Sequence, residues 1–190
     1  MHPTRTNPPA VPAIRSERMV LRPWQRGDRR ALIQMSRDRD MMRFVTRGQP
    51  MSHRRIQAFL KRQEHHLKQY GTCFYAMELC DTARVVGLAG LQPVNAETAT
   101  TVSFELGWWV WKDYWGQGLA TEAAAALVTF ARNQLRLNTV FAVIDPDNLA
   151  SIRVAEKLGF DLIDQRMASA TNSSRPDWLI NFYQLDLQSG

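Results

Sequence analysis

Apolar and polar positions change period several times along the chain, and each change marks an element. Arg18 to Trp24, RMVLRPW, alternates and predicts a first strand. Gly27-Asp28 opens an amphipathic helix, RRALIQMSRD, and DMMRFV after it reads as a loop with a short helical turn. Ser52 to Tyr70 predicts a longer helix: Ser52 is an N-cap residue, Ile56, Phe59, Leu60 and Leu67 form its apolar stripe, and Gly71 ends it. CFYAMEL and RVVGLAGLQPV are β-rich runs joined by the polar turn Cys80–Ala83, a hairpin signal. TVSFELGWWVW is a third β-rich run, after the polar loop NAETAT. Residues 117–134 predict a long helix with Leu119, Ala123, Leu127 and Phe130 on one side. A strand from Leu137 to Ile144, a short helix from Asn148 to Leu158 stopped by Gly159, and strands at 160–167 and 178–187 complete the series. The order βααβββαβαββ predicts a mixed sheet with helices on both faces, in one α/β domain.

Composition narrows the class. Of the 190 residues, 45% are apolar and 22% charged, an ordinary soluble balance. Residues 1–13 are polar and proline-rich with no apolar core, so they read as a mobile arm before a domain at 14–187, not as a secretory signal. No apolar run is long enough to span a bilayer, so no membrane partner is expected. Cys73 and Cys80 lie seven apart on a strand, facing opposite ways, which points to reduced thiols in the cytoplasm. His2, His53, His65 and His66 lack the i,i+4 spacing of a metal site, so no metal is expected. Charge is uneven: residues 1–70 hold 16 Lys and Arg against 5 Asp and Glu. That half reads either as solvated helix faces or as a field steering an anionic partner. Without an aromatic stacking set or a recognised motif, nucleic acid is a poor fit. Monomer and homodimer both stay open.

One segment changes the picture. Asp113-Tyr114-Trp115-Gly116-Gln117-Gly118-Leu119-Ala120-Thr121 lies between a strand and a helix. Its glycines and alanine leave little side-chain bulk at the turn. Backbone N–H groups at the helix start then converge on one point with the helix dipole behind them, an anion site suited to a diphosphate. It lacks the Lys-Ser/Thr of a P-loop and is too short for a dinucleotide fingerprint.

W-G-Q-G-L-A-T-E-A at 115–123 resembles the coenzyme A motif of the GNAT superfamily of acetyltransferases, and more narrowly its RimJ/RimL-like ribosomal-protein N-acetyltransferase branch. Trp115 stands where the wider family carries Gln or Arg, a departure frequent in that branch. Glu17–Trp24 resembles the family's first strand and Asp145–Phe160 its second conserved block, so the resemblance covers about residues 14–187. It implies a mostly antiparallel sheet of six to seven strands with splayed central strands, and acetyl-CoA as co-substrate. Gln117, Gly118, Leu119, Ala120 and Thr121 would hold the diphosphate and Asn148 the pantetheine arm. Backbone N–H groups near Trp109, Val110 and Trp111 would stabilise the oxyanion. The family's usual acid is a Tyr seven residues after the Asn, but here that position is Ala155; the branch implies Ser151 instead.

Acetyl transfer to an amine also needs a base. Glu105, within FELGWW, is the only acidic residue between Thr98 and Lys112, and its apolar neighbours should raise its pKa. Glu97 in the preceding loop is the reserve candidate. The expected activity is direct acetyl transfer to a primary amine in a ternary complex; the alternative is a non-catalytic acyl-CoA sensor. The helices that shape the acceptor side in this superfamily carry Arg29, Arg30, Arg37, Arg39, Arg43, Arg47, Arg54 and Arg55 here. They suit an anionic small molecule or a peptide N-terminus better than a cationic acceptor.

Overall fold

The computed structural model describes residues 13–94, 102–167 and 178–188. The expected arm, apart from Ala13, and the reserve candidate Glu97 lie outside the described residues. The elements are β1 (Ile14–Arg15), β2 (Met19–Arg22), α1 (Arg29–Arg37), α2 (Arg39–Thr46), α3 (His53–Tyr70), β3 (Phe74–Leu79), β4 (Val85–Val94), β5 (Ser103–Val110), α4 (Leu119–Asn133), β6 (Thr139–Ile144), α5 (Leu149–Lys157), β7 (Asp161–Met167) and β8 (Leu179–Asp186). One sheet runs β1-β2-β3-β4-β5-β6-β8-β7. Every neighbouring pair is antiparallel except β5 and β6.

Side-chain alternation sends the sheet into two cores. Cys73, Tyr75 and Met77 flanking and within β3, with Phe104, Leu106 and Val110 of β5, pack against Leu119, Ala123, Leu127 and Phe130 of α4 and Ala155 of α5. Phe74, of opposite parity, joins Leu32 and Met35 of α1, Met41 and Met42 of α2, and Ile56 and Phe59 of α3. Trp109 and Trp111 pack on this second core. The helices therefore cover both faces, as the element order predicts.

The long helices end where their caps stop them. Ser52 accepts from the Arg55 N–H at 3.2 Å, and Gly71 closes α3 in the left-handed region. Gln63 is buried in the stripe of α3, which apolar periodicity misses. Its amide donates to the Phe59 carbonyl at 3.3 Å and accepts from the Phe74 N–H at 2.9 Å, so it is satisfied.

Two readings are corrected. The sheet has eight strands; the extra one, β1, is two residues long and too short to show alternation. DMMRFV is not a loop with a single turn but most of α2. Asp38 caps that helix, accepting from the N–H groups of Asp40 and Met41 at 2.9 and 3.1 Å. Burial of Met41 and Met42 anchors it. Eight residues give too few turns for a clear stripe, so packing decides the helix. Among the described residues, no helix is long and apolar enough to cross a membrane.

Candidate active site

The strand-to-helix turn forms as its glycines require. Gly116 and Gly118 have φ of 73° and 77°, a region costly for residues with a Cβ, and Gly118 is the N-cap of α4. Gln117, Gly118, Ala120 and Thr121 line the start of the helix, while the Leu119 side chain turns into the core. The N–H groups of this first turn have no partner inside the helix, so they and the dipole face outward.

Arg18 braces the turn from β2's side. Its guanidinium donates to the Gln117 carbonyl at 3.0 Å and pairs with Glu122, and its backbone N–H donates to the same carboxylate at 2.7 Å. Burial pushes the Glu122 carboxyl up, but hydrogen bonds from Arg18 and Ser16 outweigh it and hold the carboxyl below the usual range. This contact joins positions 104 apart, so no local pattern announced it.

The parallel strands β5 and β6 register at one pair, Glu105 opposite Phe141. Beyond it β5 runs on to Val110. Val110 faces Gly87 across the ladder, and the next N–H, of Trp111, donates to the Val86 carbonyl at 2.8 Å. Gly87 and Val110 are thus a non-hydrogen-bonded antiparallel pair, and the Val110 peptide groups point away from β4, to the β6 side. Of the three expected oxyanion donors, Val110 alone has its N–H directed to the split. The N–H groups of Trp109 and Trp111 point to β4, and Trp111's is engaged there. Trp108 shares Val110's direction by the same alternation and escaped the sequence reading. Trp115 ties the glycine turn to the split strand, its indole N–H donating to the Val110 carbonyl at 2.6 Å.

Glu105 stands at the base of this split, where the two strands still register. It is half-buried and shares a parity with Gly107 and Trp109, hence the face covered by α1–α3. Its cross-strand partner is Gln92, whose amide donates to the Glu105 carboxylate at 3.1 Å. Gln92 was missed, although it is the only side-chain amide in an otherwise apolar strand. Beside Glu105, the Phe74 ring lies over Gly107, where a Cβ would meet it at 2.9 Å. Phe59 stacks on Trp109 with centroids 6.5 Å apart, and Trp24 meets Phe59 edge-on. The site's floor on this side is aromatic.

The second helix start comes from β6. Asn148 caps α5, its side-chain oxygen accepting from the Ser151 N–H at 3.2 Å, which sets Ser151 in the first turn. Ala155 is fully buried in the first core. Because β5 and β6 are parallel, α4 and α5 both begin at the same end of the sheet, on either side of the split. Crevices outside the carboxyl ends of parallel strands are where α/β sheets bind ligands. The structure thus brings Gly118, Val110, Asn148 and Ser151 to one end, with Glu105 further back along β5.

Burial pushes the Cys73 thiol up to about 12, so it is no thiolate near neutrality. Among the described residues, no group of three or more His, Cys, Asp or Glu is placed to hold a metal ion.

The chain is 34% identical to the uncharacterized protein YkkB of Bacillus subtilis (strain 168) over 106 residues, 56% of this chain and 60% of that one. The match therefore spans less than two thirds of that relative's length. Among solved structures the chain resembles a GNAT-family acetyltransferase from Bacillus anthracis, with a TM-score of 0.75 at 22% identity, covering 94% of this chain and 100% of the other. It also resembles RimL, a ribosomal L7/L12 alpha-N-protein acetyltransferase solved with coenzyme A, with a TM-score of 0.76 at 18% identity and the same coverages. At such identities the structures speak for the fold. The acetyltransferase (GNAT) domain model matches residues 18–161, a span holding both helix starts and the split between them. The chain belongs to the GNAT acetyltransferase domain family.

Proposed function

We propose that residues 14–187 form one acetyl-CoA-dependent N-acetyltransferase domain, acting on a primary amine by direct attack in a ternary complex. The observation that carries this reading is the split between β5 and β6, with two helix starts at its open end. The diphosphate of acetyl-CoA lies on the Gln117–Thr121 turn, and the pantetheine arm runs past Asn148 into the split. Glu105, directly or through water, takes a proton from the acceptor ammonium. The free amine attacks the thioester carbon. The Val110 N–H faces the oxyanion, and a preorganised donor there is worth about 2.7–4 kcal/mol. As the C–S bond breaks, the nitrogen gives up its second proton to water, and Ser151 passes a proton from that water to the thiolate, so the products are the neutral amide and the coenzyme A thiol, with the proton on Glu105 released to solvent. Acetyl-CoA supply makes the cytoplasm the natural place for this reaction. The likeness to RimL supports a peptide N-terminus as one class of acceptor.

The test is thiol release from acetyl-CoA against a panel of amines, with the dissociation constant of acetyl-CoA measured separately. Glu105→Gln lowers kcat by about 10²–10⁴ while leaving acetyl-CoA affinity unchanged. Tight acetyl-CoA binding with no turnover on any amine turns the reading into that of an acyl-CoA sensor.

A further inference from the structure

Unpaired N–H and C=O groups along a strand are a template for pairing with whatever strand lies beside it. β5 and β6 are neighbours in the sheet, yet they register only at Glu105 and Phe141. Their ends must be kept from closing. In a parallel ladder, a residue that turns its peptide groups to the partner strand bonds to the two residues flanking its opposite number. Val110 turns its peptide groups to the β6 side. Carried on from Glu105 and Phe141, the register would set Val110 opposite Pro146. A closed ladder would then take the Val110 N–H to the Asp145 carbonyl and the Asp147 N–H to the Val110 carbonyl.

The other groups of that closed ladder are engaged elsewhere. The Val110 carbonyl accepts from the Trp115 indole N–H at 2.6 Å. The Asp147 N–H donates to the Asp145 carboxylate at 2.9 Å. The Asp145 carbonyl accepts from the Asn148 N–H at 2.9 Å, which bends the chain out of β6 and into the cap of α5. Pro146, between them, has no N–H to give. The Val110 N–H is the group left over. Trp115 is 48% exposed, so its ring is not an anchor of either core. It precedes Gly116, at φ of 73°, so one side chain joins the glycine turn to the mouth of the split.

We propose that Trp115 and Asp145 are positioning residues: each occupies a backbone group that would zip β5 to β6, and together they keep the Val110 N–H for the thioester oxygen. The inference rests on the acetyl-transfer reading for what that N–H meets. The open split itself does not depend on it.

The experiment follows amide hydrogen exchange by NMR in the protein without ligand, and measures the dissociation constant of acetyl-CoA by calorimetry. In the parent, the Val110 amide should exchange about ten times faster than that of Trp109, which points into the ladder with β4. Trp115→Phe keeps a ring and loses the N–H; Asp145→Ala loses the acceptor. In the double variant, exchange at Val110 should slow about tenfold as its N–H finds the Asp145 carbonyl. The dissociation constant of acetyl-CoA should rise about tenfold, as for one lost hydrogen bond. Asp145→Asn, whose amide oxygen still accepts from the Asp147 N–H, should behave as the parent. Leu127, buried on α4, reports on the fold and should exchange alike in all of them. The single variants carry the test if the double variant loosens α4. A Val110 amide as slow as Trp109's in the parent, or unchanged in the variants, overturns the inference; so does an Asp145→Asn that fails as alanine does. The expected exchange pattern in a parent that does not bind acetyl-CoA overturns the acetyl-transfer reading and leaves the account of the open split standing.

Discussion

At the scale of single residues, position 155 tests the motif against the packing. The family pattern offers a Tyr there as proton donor, and restoring it looks like a way to raise activity. The structure argues otherwise, because Ala155 is completely buried against the first core. A phenol at that point has no space, and overpacking a core costs about 1–3 kcal/mol. Ala155→Tyr should therefore unfold at lower urea concentration than the parent and gain nothing in kcat. A faster variant of unchanged stability would show that α5 can shift to admit the ring. This is also where residue-level reading succeeds and fails. Asn148 was legible because a cap residue after an Asp-Pro turn has a local cause. Gln92 and Arg18 were not, because each acts on a partner brought near only by the tertiary fold: Glu105 across a ladder, and Glu122 on α4 across 104 positions.

At the scale of elements, the brace between β2 and the start of α4 carries a pH signature. The Glu122 carboxyl lies below its usual range in the fold because hydrogen bonds from Arg18 and Ser16 outweigh its burial. A depressed folded-state pKa means that the native state holds its proton less tightly than the unfolded chain. The stabilisation is then present above the unfolded value, about 4.3, and is lost as pH falls through the folded one. Arg18 is half exposed, so solvent screening keeps the pair near 1 kcal/mol or below. Urea unfolding of Glu122→Gln against the parent should show a gap of about 0.5–1 kcal/mol at pH 7 that closes below about pH 4. A gap constant across that range would mean that packing of the side chain, and not its charge, holds the turn. Elements with several helical turns or clear alternation were legible: α3, α4 and the strands from β3 to β6 fall where their periods put them. β1 and α2 were not, since two and eight residues are too short for a period to stand out from composition. Tertiary burial settles both.

At the scale of the whole molecule, two cores press on one sheet from opposite sides, and the sheet is weakest where β5 and β6 share a single registered pair. A ligand seated in that split ties together the helix starts on its two sides. Acetyl-CoA should therefore stabilise the entire fold, by RT ln(1 + [L]/Kd), about 2.7 kcal/mol at a hundred times its dissociation constant. For a chain of this length that is a rise in Tm of roughly 5–10 °C. The glycine turn decides how the rise is divided. Gly118 sits at φ of 77°, so Gly118→Ala strains the N-cap of α4 and misdirects the N–H groups offered to the diphosphate. At a fixed acetyl-CoA concentration the variant should show a clearly smaller rise than the parent. S-acetylpantetheine, which has the thioester but no diphosphate, should shift both proteins equally and weakly. Equal shifts with acetyl-CoA would mean that the turn does not hold the diphosphate, and the coenzyme would have to be anchored from the α5 side alone.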